Sequence, residues 1–165
     1  MIKYEHLLGQ PFDFGKSDCY SIVRDFYKDN YDIELPNYAR PTQFWDFGLD
    51  MYMERFRKNG FTVLNCNPHE YVPGDVFLMS IQSTVANHAG ILIEKGMMLH
   101  HLVNQISTVT PYRSLWRNST MAVVRHKDVK DLRDEPTANL LEHVPAHIRR
   151  KVNEYFEHDQ TSVAQ

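Results

Sequence analysis

The chain has only two cysteines, Cys19 and Cys66, among its 165 residues. Two cysteines cannot build the dense disulfide framework of a small secreted domain. The sequence also has no CxxC pair and no Cys/His spacing typical of a structural zinc site. Each cysteine therefore has to be interpreted on its own.

Long hydrophobic runs are also absent. The opening segment, MIKYEHLLGQPFDFG, has no apolar stretch long enough for a signal peptide, because Glu5 and His6 interrupt it. No later segment is long and apolar enough to span a bilayer. We therefore expect synthesis in a cytoplasm and no membrane span.

The chain lacks a strong charge of either sign. Its formal net charge is -3, and its basic cluster Arg149-Arg150-Lys151 is short. Such a cluster is typical of the solvated face of a helix, so nucleic-acid binding is not expected. Hydrophobic residues make up 42% of the sequence, which is enough to form the core of one globular domain.

Two helices are predicted in the first half of the chain. The first runs from Asp18 to Asn30, and either Ser17 or Asp18 can cap it by accepting from a free first-turn N–H. Its apolar residues recur at the spacing of one helix face. The second runs from Thr42 to Asn59, with a broad apolar stripe formed by Phe44, Phe47, Met51 and Phe56.

The second half of the chain is typical of β-strands. Strands are predicted at Val76–Ser80, His88–Glu94, Met97–Leu102 and Met121–Arg125, and a short connection at Lys95-Gly96 makes the middle two an antiparallel hairpin. Helices followed by strands favour an α+β fold, with the helices packed on a central antiparallel β-sheet.

The composition changes after residue 126. Charged residues dominate as far as Glu135, and Pro145 can begin a last helix at its first position. We predict a domain over residues 1–126, followed over 127–165 by a charged linker and a C-terminal helix. This helical appendage would pack on the domain or on a partner.

Cys19 has the setting of a reactive thiol. It follows a candidate helix cap, and the free N–H groups of a helix N-terminus stabilise a thiolate and can bind an oxyanion. The alternative is a small buried residue, since free cysteines are often buried. Cys66 lies in a loop or strand end with no helix after it, which favours an ordinary structural role.

Three histidines on the predicted hairpin are candidates for the base that a thiolate needs. His88 begins one strand, and His100 and His101 lie near the end of the next, so they can be cross-strand neighbours. Side chains alternate along a strand, so only one of the adjacent pair can share a face with His88 and fix its tautomer. A metal site formed by the three imidazoles remains an alternative.

Several stretches together resemble the NlpC family of papain-like cysteine peptidases, and more narrowly its phage tail tip assembly type. They are GQPFDFGKSDCYSIVRDFY, PGDVFLM, NHAGILIEKGMMLHHL, VTPYRSLW and MAVVRH, which span most of residues 1–126. The resemblance implies a papain-like fold. It also implies that Cys19 is the nucleophile, His88 the base and His100 the residue that orients the base, whereas His101 has no catalytic position.

The same resemblance implies hydrolysis of an amide bond in peptidoglycan stem peptides, without a cofactor or metal. The partners would be the peptidoglycan peptide and other phage tail tip proteins. The expected locations are the host cytoplasm during assembly and the virion tail, acting at the host cell wall.

One position departs from the family pattern. Phe12 stands where peptidoglycan-cutting relatives often have a tyrosine hydroxyl near the oxyanion, and Tyr4 is a candidate replacement. Two alternatives therefore stay open: an assembly factor with an unused or vestigial peptidase site, and an amidase or acyltransferase on the same fold. If Cys19 is activated, an alkylating agent should label it faster than Cys66 at neutral pH.

Overall fold

The computed structural model describes residues 2–94 and 96–130 of the chain. In this part, three α-helices and six strands form a mixed fold. The helices are α1 (Cys19–Tyr31), α2 (Met51–Lys58) and α3 (Ser114–Ser119). The strands are β1 (Phe61–Val63), β2 (Val76–Met79), β3 (His88–Glu94), β4 (Met97–His100), β5 (Thr108–Pro111) and β6 (Thr120–His126).

The six strands form one sheet in the order β1-β6-β2-β3-β4-β5. Each neighbouring pair is antiparallel. The predicted α+β fold with an antiparallel sheet is confirmed. Strand β3 lies near the middle of the sheet and pairs with β2 and β4 along its two edges. Six successive residues of β3 are buried, so both of its faces are covered.

Helix α1 begins where its cap predicts. Asp18 is extended, and its side chain accepts a hydrogen bond from the N–H of Ser21 in the first turn. The buried face of α1 packs on β3, and residues such as Phe26 and Ile91 belong to the same core cluster. This packing fixes the start of α1 against the start of β3.

The predicted single helix from Thr42 to Asn59 is wrong. The segment Phe44–Phe47 forms a 3₁₀ turn that ends at Gly48, whose φ of 67° is left-handed. Asp50 then caps a separate helix, α2. Phe47 is 79% exposed and leaves the predicted stripe. The other stripe residues, Phe44, Met51 and Phe56, are buried or half-buried.

The predicted hairpin is confirmed, with β3 at the predicted bounds and β4 two residues shorter. Strands β1 and β5 were not predicted. Strand β1 is only three residues long, and β5 lies at the edge of the sheet, ends in a proline and is half exposed. Short, partly exposed strands lack the alternation that marks a strand in the sequence.

The predicted C-terminal helix lies outside the described residues, so the division at residue 126 stays a prediction. Within residues 2–94 and 96–130, no helix has the length and apolar character needed to cross a membrane.

Candidate active site

Cys19 is the first residue of α1, and only 6% of it is exposed. Its sulfur lies 3.2 Å from the hydroxyl oxygen of Tyr52 on α2. The backbone N–H of Ala89 also acts on the thiol and favours a lower pKa for Cys19 against the effect of burial. Because Ala89 directly follows His88, the thiol is held beside the start of the strand that carries the predicted base.

Asp18 fixes the first turn of α1 and therefore the position of Cys19. Its Oδ1 accepts from the N–H and the hydroxyl of Ser21, both at 2.9 Å. Its Oδ2 accepts from the N–H of Gly15 and from Nε of Arg40, both at 2.8 Å. Burial opposes the negative charge, but Arg40 and the N–H groups outweigh it and hold the pKa of Asp18 below its ordinary value.

The predicted base is part of a chain of hydrogen bonds. Nε2 of His88 lies 3.2 Å from Nδ1 of His100, and Nε2 of His100 lies 3.1 Å from the hydroxyl of Thr110. The ring of Trp116 covers both imidazoles, with its centroid 4.6 Å from that of His100 and 6.0 Å from that of His88. The contact between the two histidines is therefore shielded from solvent.

The hydrogen-bonded series of His88, His100 and Thr110 permits two arrangements of its protons. In one of them, His88 donates from Nε2 to His100, which donates from its own Nε2 to Thr110. Nδ1 of His88 then carries a lone pair and can accept a proton. This is the tautomer that a general base in the cleft requires.

The prediction that only one of the adjacent histidines shares a face with His88 is confirmed, and that residue is His100. In the β3–β4 register His100 lies opposite Gly90, two residues along β3 from His88. His101 lies beyond the end of β4, and its ring meets Phe12 edge-on at 5.2 Å.

The three imidazoles do not converge on one point. His101 donates from Nε2 to the carbonyl of Gln105 at 3.1 Å rather than joining the pair formed by His88 and His100. Within residues 2–94 and 96–130, no group of three or more histidine, cysteine, aspartate or glutamate residues is arranged to hold a metal ion. These described residues therefore provide no ligand set for the alternative of a metal site formed by the three imidazoles.

Cys19 and His88 line the same cleft, which has a volume of about 390 Å³. Among the described residues, the direct side-chain partner of the sulfur is the Tyr52 hydroxyl rather than the His88 ring. The wall also carries aromatic and amide side chains, Phe12, Phe14, Trp45, Gln43, Gln82, Asn87 and Gln105. A larger cavity of about 840 Å³ contains neither Cys19 nor His88.

Burial keeps both groups of the predicted pair neutral at rest. Burial, and then the charge of Asp18, raises the pKa of Cys19 to about 11. Burial and the neighbouring imidazoles lower the pKa of His88 to about 3 and that of His100 to about 4. Transfer of the thiol proton to His88 creates both charges together, so the cleft gains no net charge.

The raised pKa of the buried Cys19 thiol argues against the expectation that an alkylating agent labels Cys19 faster than Cys66 at neutral pH. The thiol of Cys19 is buried and protonated, whereas Cys66 lies in a loop after β1 and is partly exposed. Alkylation needs both a thiolate and access to it. The structure therefore favours faster labelling of Cys66 by a small reagent without affinity for the cleft.

The buried histidines make folding stability depend on pH. Because the pKa values of His88 and His100 are lowered in the folded chain, the unfolded chain binds more protons between about pH 4 and pH 6.5. We expect full stability from this source above pH 6.5. As the pH is lowered below 6.5, the free energy of unfolding should fall, by about 1 to 3 kcal/mol per pH unit near pH 5. Urea unfolding at several pH values measures this slope.

His100→Gln is the matched variant for that measurement. The variant lacks one of the two imidazoles that bind a proton only when the chain unfolds. The slope of the free energy of unfolding against pH, measured near pH 5, should therefore decrease by about 1.4 kcal/mol per pH unit at most. An unchanged slope in the variant, or a wild-type stability that does not vary between pH 6.5 and pH 4.5, would contradict this electrostatic description.

Sequence reasoning missed four residues of this site. Arg40, Tyr52, Thr110 and Trp116 come from elements that only the fold brings to Cys19 and His88. The matching stretch VTPYRSLW contained two of them, Thr110 and Trp116, without any indication of their roles. Phe12 does line the cleft, but Tyr4, the suggested replacement for its missing hydroxyl, does not.

The comparison with family models decides the classification. Residues 9–125 match the model of the NlpC/P60 family. The chain belongs to the NlpC/P60 family. The described helices, sheet and candidate active site all fall almost wholly within the matched residues.

Curated relatives from two phages are similar to the chain. It is 36% identical over 126 residues to the tail tip assembly protein K of Escherichia phage N15, covering 75% of this chain and 51% of the relative. It is 34% identical over 122 residues to the tail tip assembly protein K of Escherichia phage lambda, covering 74% of this chain and 60% of the relative. The chain thus spans about half the length of the first relative.

Solved structures support the fold. An NLP/P60 family protein similar to a lipoprotein, from Staphylococcus aureus, superposes with a TM-score of 0.50 at 18% identity, covering 73% of this chain and 37% of its own. NlpC1 from Trichomonas vaginalis gives a TM-score of 0.52 at 16% identity, covering 74% and 41%. At these identities the likeness establishes the shared papain-like architecture alone.

Proposed function

We propose that this chain is a cysteine peptidase in which Cys19 is the nucleophile, His88 the general base and His100 the residue that orients it. The observation that carries the proposal is the shared cleft. One wall holds the Cys19 thiol at the start of α1, and another holds the His88 ring, which is hydrogen-bonded to His100.

In the proposed reaction, Nδ1 of His88 accepts the thiol proton as Sγ of Cys19 forms a bond to the carbonyl carbon. The π electrons of the carbonyl move to its oxygen, which becomes an oxyanion. When the carbonyl reforms, the C–N bond breaks and His88 returns the proton to the leaving amine. Water then attacks the thioester, with His88 again as base, and releases the carboxylate and the free thiol.

The proposed substrate is a cell-wall stem peptide. The cleft combines flat aromatic side chains such as Phe14 and Trp45 with amide side chains such as Gln82, Asn87 and Gln105. Aromatic rings can pack on aliphatic peptide side chains, and amides can pair with backbone N–H and C=O groups. Membership of the NlpC/P60 family and the resemblance of residues 1–126 support the same substrate class.

The phage relatives suggest where the activity is used. Because both curated relatives are named as tail tip assembly proteins, we propose that this chain joins other tail tip proteins in the host cytoplasm. Its cleft would then reach the cell wall from the virion tail. The chain covers only 51% and 60% of these relatives, so the assembly role rests on similarity over a part of their length.

Digestion of purified Escherichia sacculi by the full chain tests the enzymatic proposal. Amide hydrolysis exposes one new amino group and one carboxylate per cut, so free amines should increase with time. Mass spectrometry should show pairs of fragments whose masses sum to that of their parent plus one water. The matched control is Cys66→Ala, which removes the thiol outside the cleft and should release amines at the wild-type rate. No increase in amines with the wild-type chain would contradict the proposal.

A second candidate is an assembly factor that does not use its peptidase site. Two observations favour it: the Cys19 thiol is buried and neutral at rest, and Phe12 has no hydroxyl to offer in the cleft. Complementation of a gene deletion with Cys19→Ala separates the two functions. Full recovery of infectious particles would favour the assembly factor, and assembled but non-infectious tails would favour the peptidase.

A further inference from the structure

The Tyr52 hydroxyl occupies a position next to the proposed nucleophile that the peptidase proposal does not use. Its oxygen lies 3.2 Å from Sγ of Cys19, and both side chains line the cleft. Tyr52 is 3% exposed and comes from α2, 33 residues further along the chain. The contact is therefore made by tertiary packing rather than by local sequence.

Three aromatic side chains limit the movement of the Tyr52 ring. Tyr20 stacks with it at a centroid distance of 6.4 Å and an interplanar angle of 18°. Phe44 and Phe56 meet it edge-on at 5.4 and 6.3 Å, and Phe56 also packs against Tyr20. A ring held in this way presents its hydroxyl to the sulfur without an entropic cost at the moment of reaction.

The Tyr52 hydroxyl keeps its proton at neutral pH and can therefore donate to the sulfur once Cys19 is a thiolate. Burial, followed by the nearby Cys19, raises the pKa of Tyr52 well above its ordinary value, so the phenol keeps its proton. A protonated phenol stabilises a thiolate, and the hydrogen bond from Tyr52 lowers the pKa of Cys19 against the opposing effect of burial. The contact thus favours the reactive form of the nucleophile.

We propose that Tyr52 is a catalytic hydrogen-bond donor whose hydroxyl stabilises negative charge first on Sγ of Cys19 and then on the oxygen of the attacked carbonyl. This inference rests on the proposed peptidase function and extends it by one residue. As the S–C bond forms, the negative charge leaves sulfur and the π electron pair of the carbonyl moves to its oxygen, only two bonds away. Tyr52 keeps its proton throughout, and His88 carries the transferred thiol proton.

The variant that tests this role is Tyr52→Phe in the full chain, because it removes the oxygen and keeps the ring. Loss of one oxyanion donor typically costs about 100-fold in turnover, so we expect kcat for amine release to fall by about that factor while KM changes little. Alkylation of Cys19 by iodoacetamide between pH 7 and pH 9 should slow by roughly tenfold at each pH, because the thiolate fraction falls.

Tyr20→Phe is the matched control, since it removes another hydroxyl from the same aromatic cluster. That hydroxyl donates to the carbonyl of Pro36 at 2.7 Å and does not touch the sulfur. The control should leave the alkylation rates of Cys19 unchanged from pH 7 to pH 9. Thermal unfolding of both variants measures how much stability is lost when each hydroxyl is removed. Wild-type alkylation rates for Tyr52→Phe would overturn the inference, as would equal losses of kcat in the two variants.

The alkylation measurement needs no peptide substrate. If the wild-type chain cuts no sacculi, the peptidase proposal and the catalytic role of Tyr52 both fail, even if Tyr52 affects the thiol. If the wild-type chain is active and Tyr52→Phe matches it in kcat, only the role of Tyr52 fails. The two failures are therefore distinguishable.

Discussion

Replacing Cys19 with alanine is expected to reduce amine release from sacculi by at least about 10⁴-fold. The variant keeps a side chain of similar size at the start of α1, so the cap formed by Asp18 and the packing of the helix on β3 should persist. What it loses is the only sulfur in the cleft that the structure describes. Without this thiol, the proposed base His88 has no proton to accept and the proposed covalent intermediate cannot form.

The comparison with Cys66→Ala makes this result specific. Both variants remove one thiol, but Cys66 lies outside the cleft, so its loss should change amine release by less than about twofold. Far-UV circular dichroism and thermal unfolding establish that both variants are folded. Amine release by Cys19→Ala at a rate close to that of the wild type would rule out covalent catalysis by this residue.

Replacing Arg40 with methionine is expected to lower the free energy of unfolding by about 3 to 5 kcal/mol, because it leaves the buried charge of Asp18 unpaired. Both side chains of this ion pair are 2% exposed, and Nε of Arg40 lies 2.8 Å from Oδ2 of Asp18. The same guanidinium also donates to Asn37 and to the carbonyl of Tyr38. The urea midpoint, measured at constant slope, gives the loss directly.

A surface ion pair provides the control for Arg40. The guanidinium of Arg24 contacts Asp25 at 2.7 Å, but the two side chains are 23% and 39% exposed, so Arg24→Met should cost no more than about 1 kcal/mol. Adding Asp18→Asn to Arg40→Met removes the orphaned charge and should recover part of the lost stability. A loss below about 1 kcal/mol for Arg40→Met would contradict the role given to this pair.

Local signals in the sequence were sufficient to predict the framework of the site. Asp18 caps a helix through its own neighbouring backbone, and the alternation of side chains along β4 allows only one of the two adjacent histidines to face His88. The connection between β3 and β4 sets the register that brings His88 and His100 together. These features depend on residues close in the chain or across one hairpin.

The parts that could not be predicted depend on long-range packing. Arg40 lies 22 residues from Asp18, and Tyr52 lies 33 residues from Cys19, so neither has a spacing that indicates a contact. The prediction of a single helix from residue 42 to residue 59 is wrong, because the left-handed Gly48 ends the first turn and Asp50 caps a new helix despite the helical spacing of the aromatic residues. The extent to which Cys19 is buried could not be predicted either. Burial raises the pKa of its thiol, whereas a position at a helix N-terminus favours a lower one.

Covalent trapping tests most directly whether Cys19 and His88 work as a nucleophile and its base. The reagent is a stem-peptide analogue that carries a vinyl sulfone at the scissile position, and intact mass and peptide mapping locate the adduct. We predict an adduct on Cys19 and none on Cys66 in the wild-type chain, with at least about 100-fold slower modification in His88→Gln. An adduct on Cys66 alone, or equal rates with and without the His88 imidazole, would contradict the account.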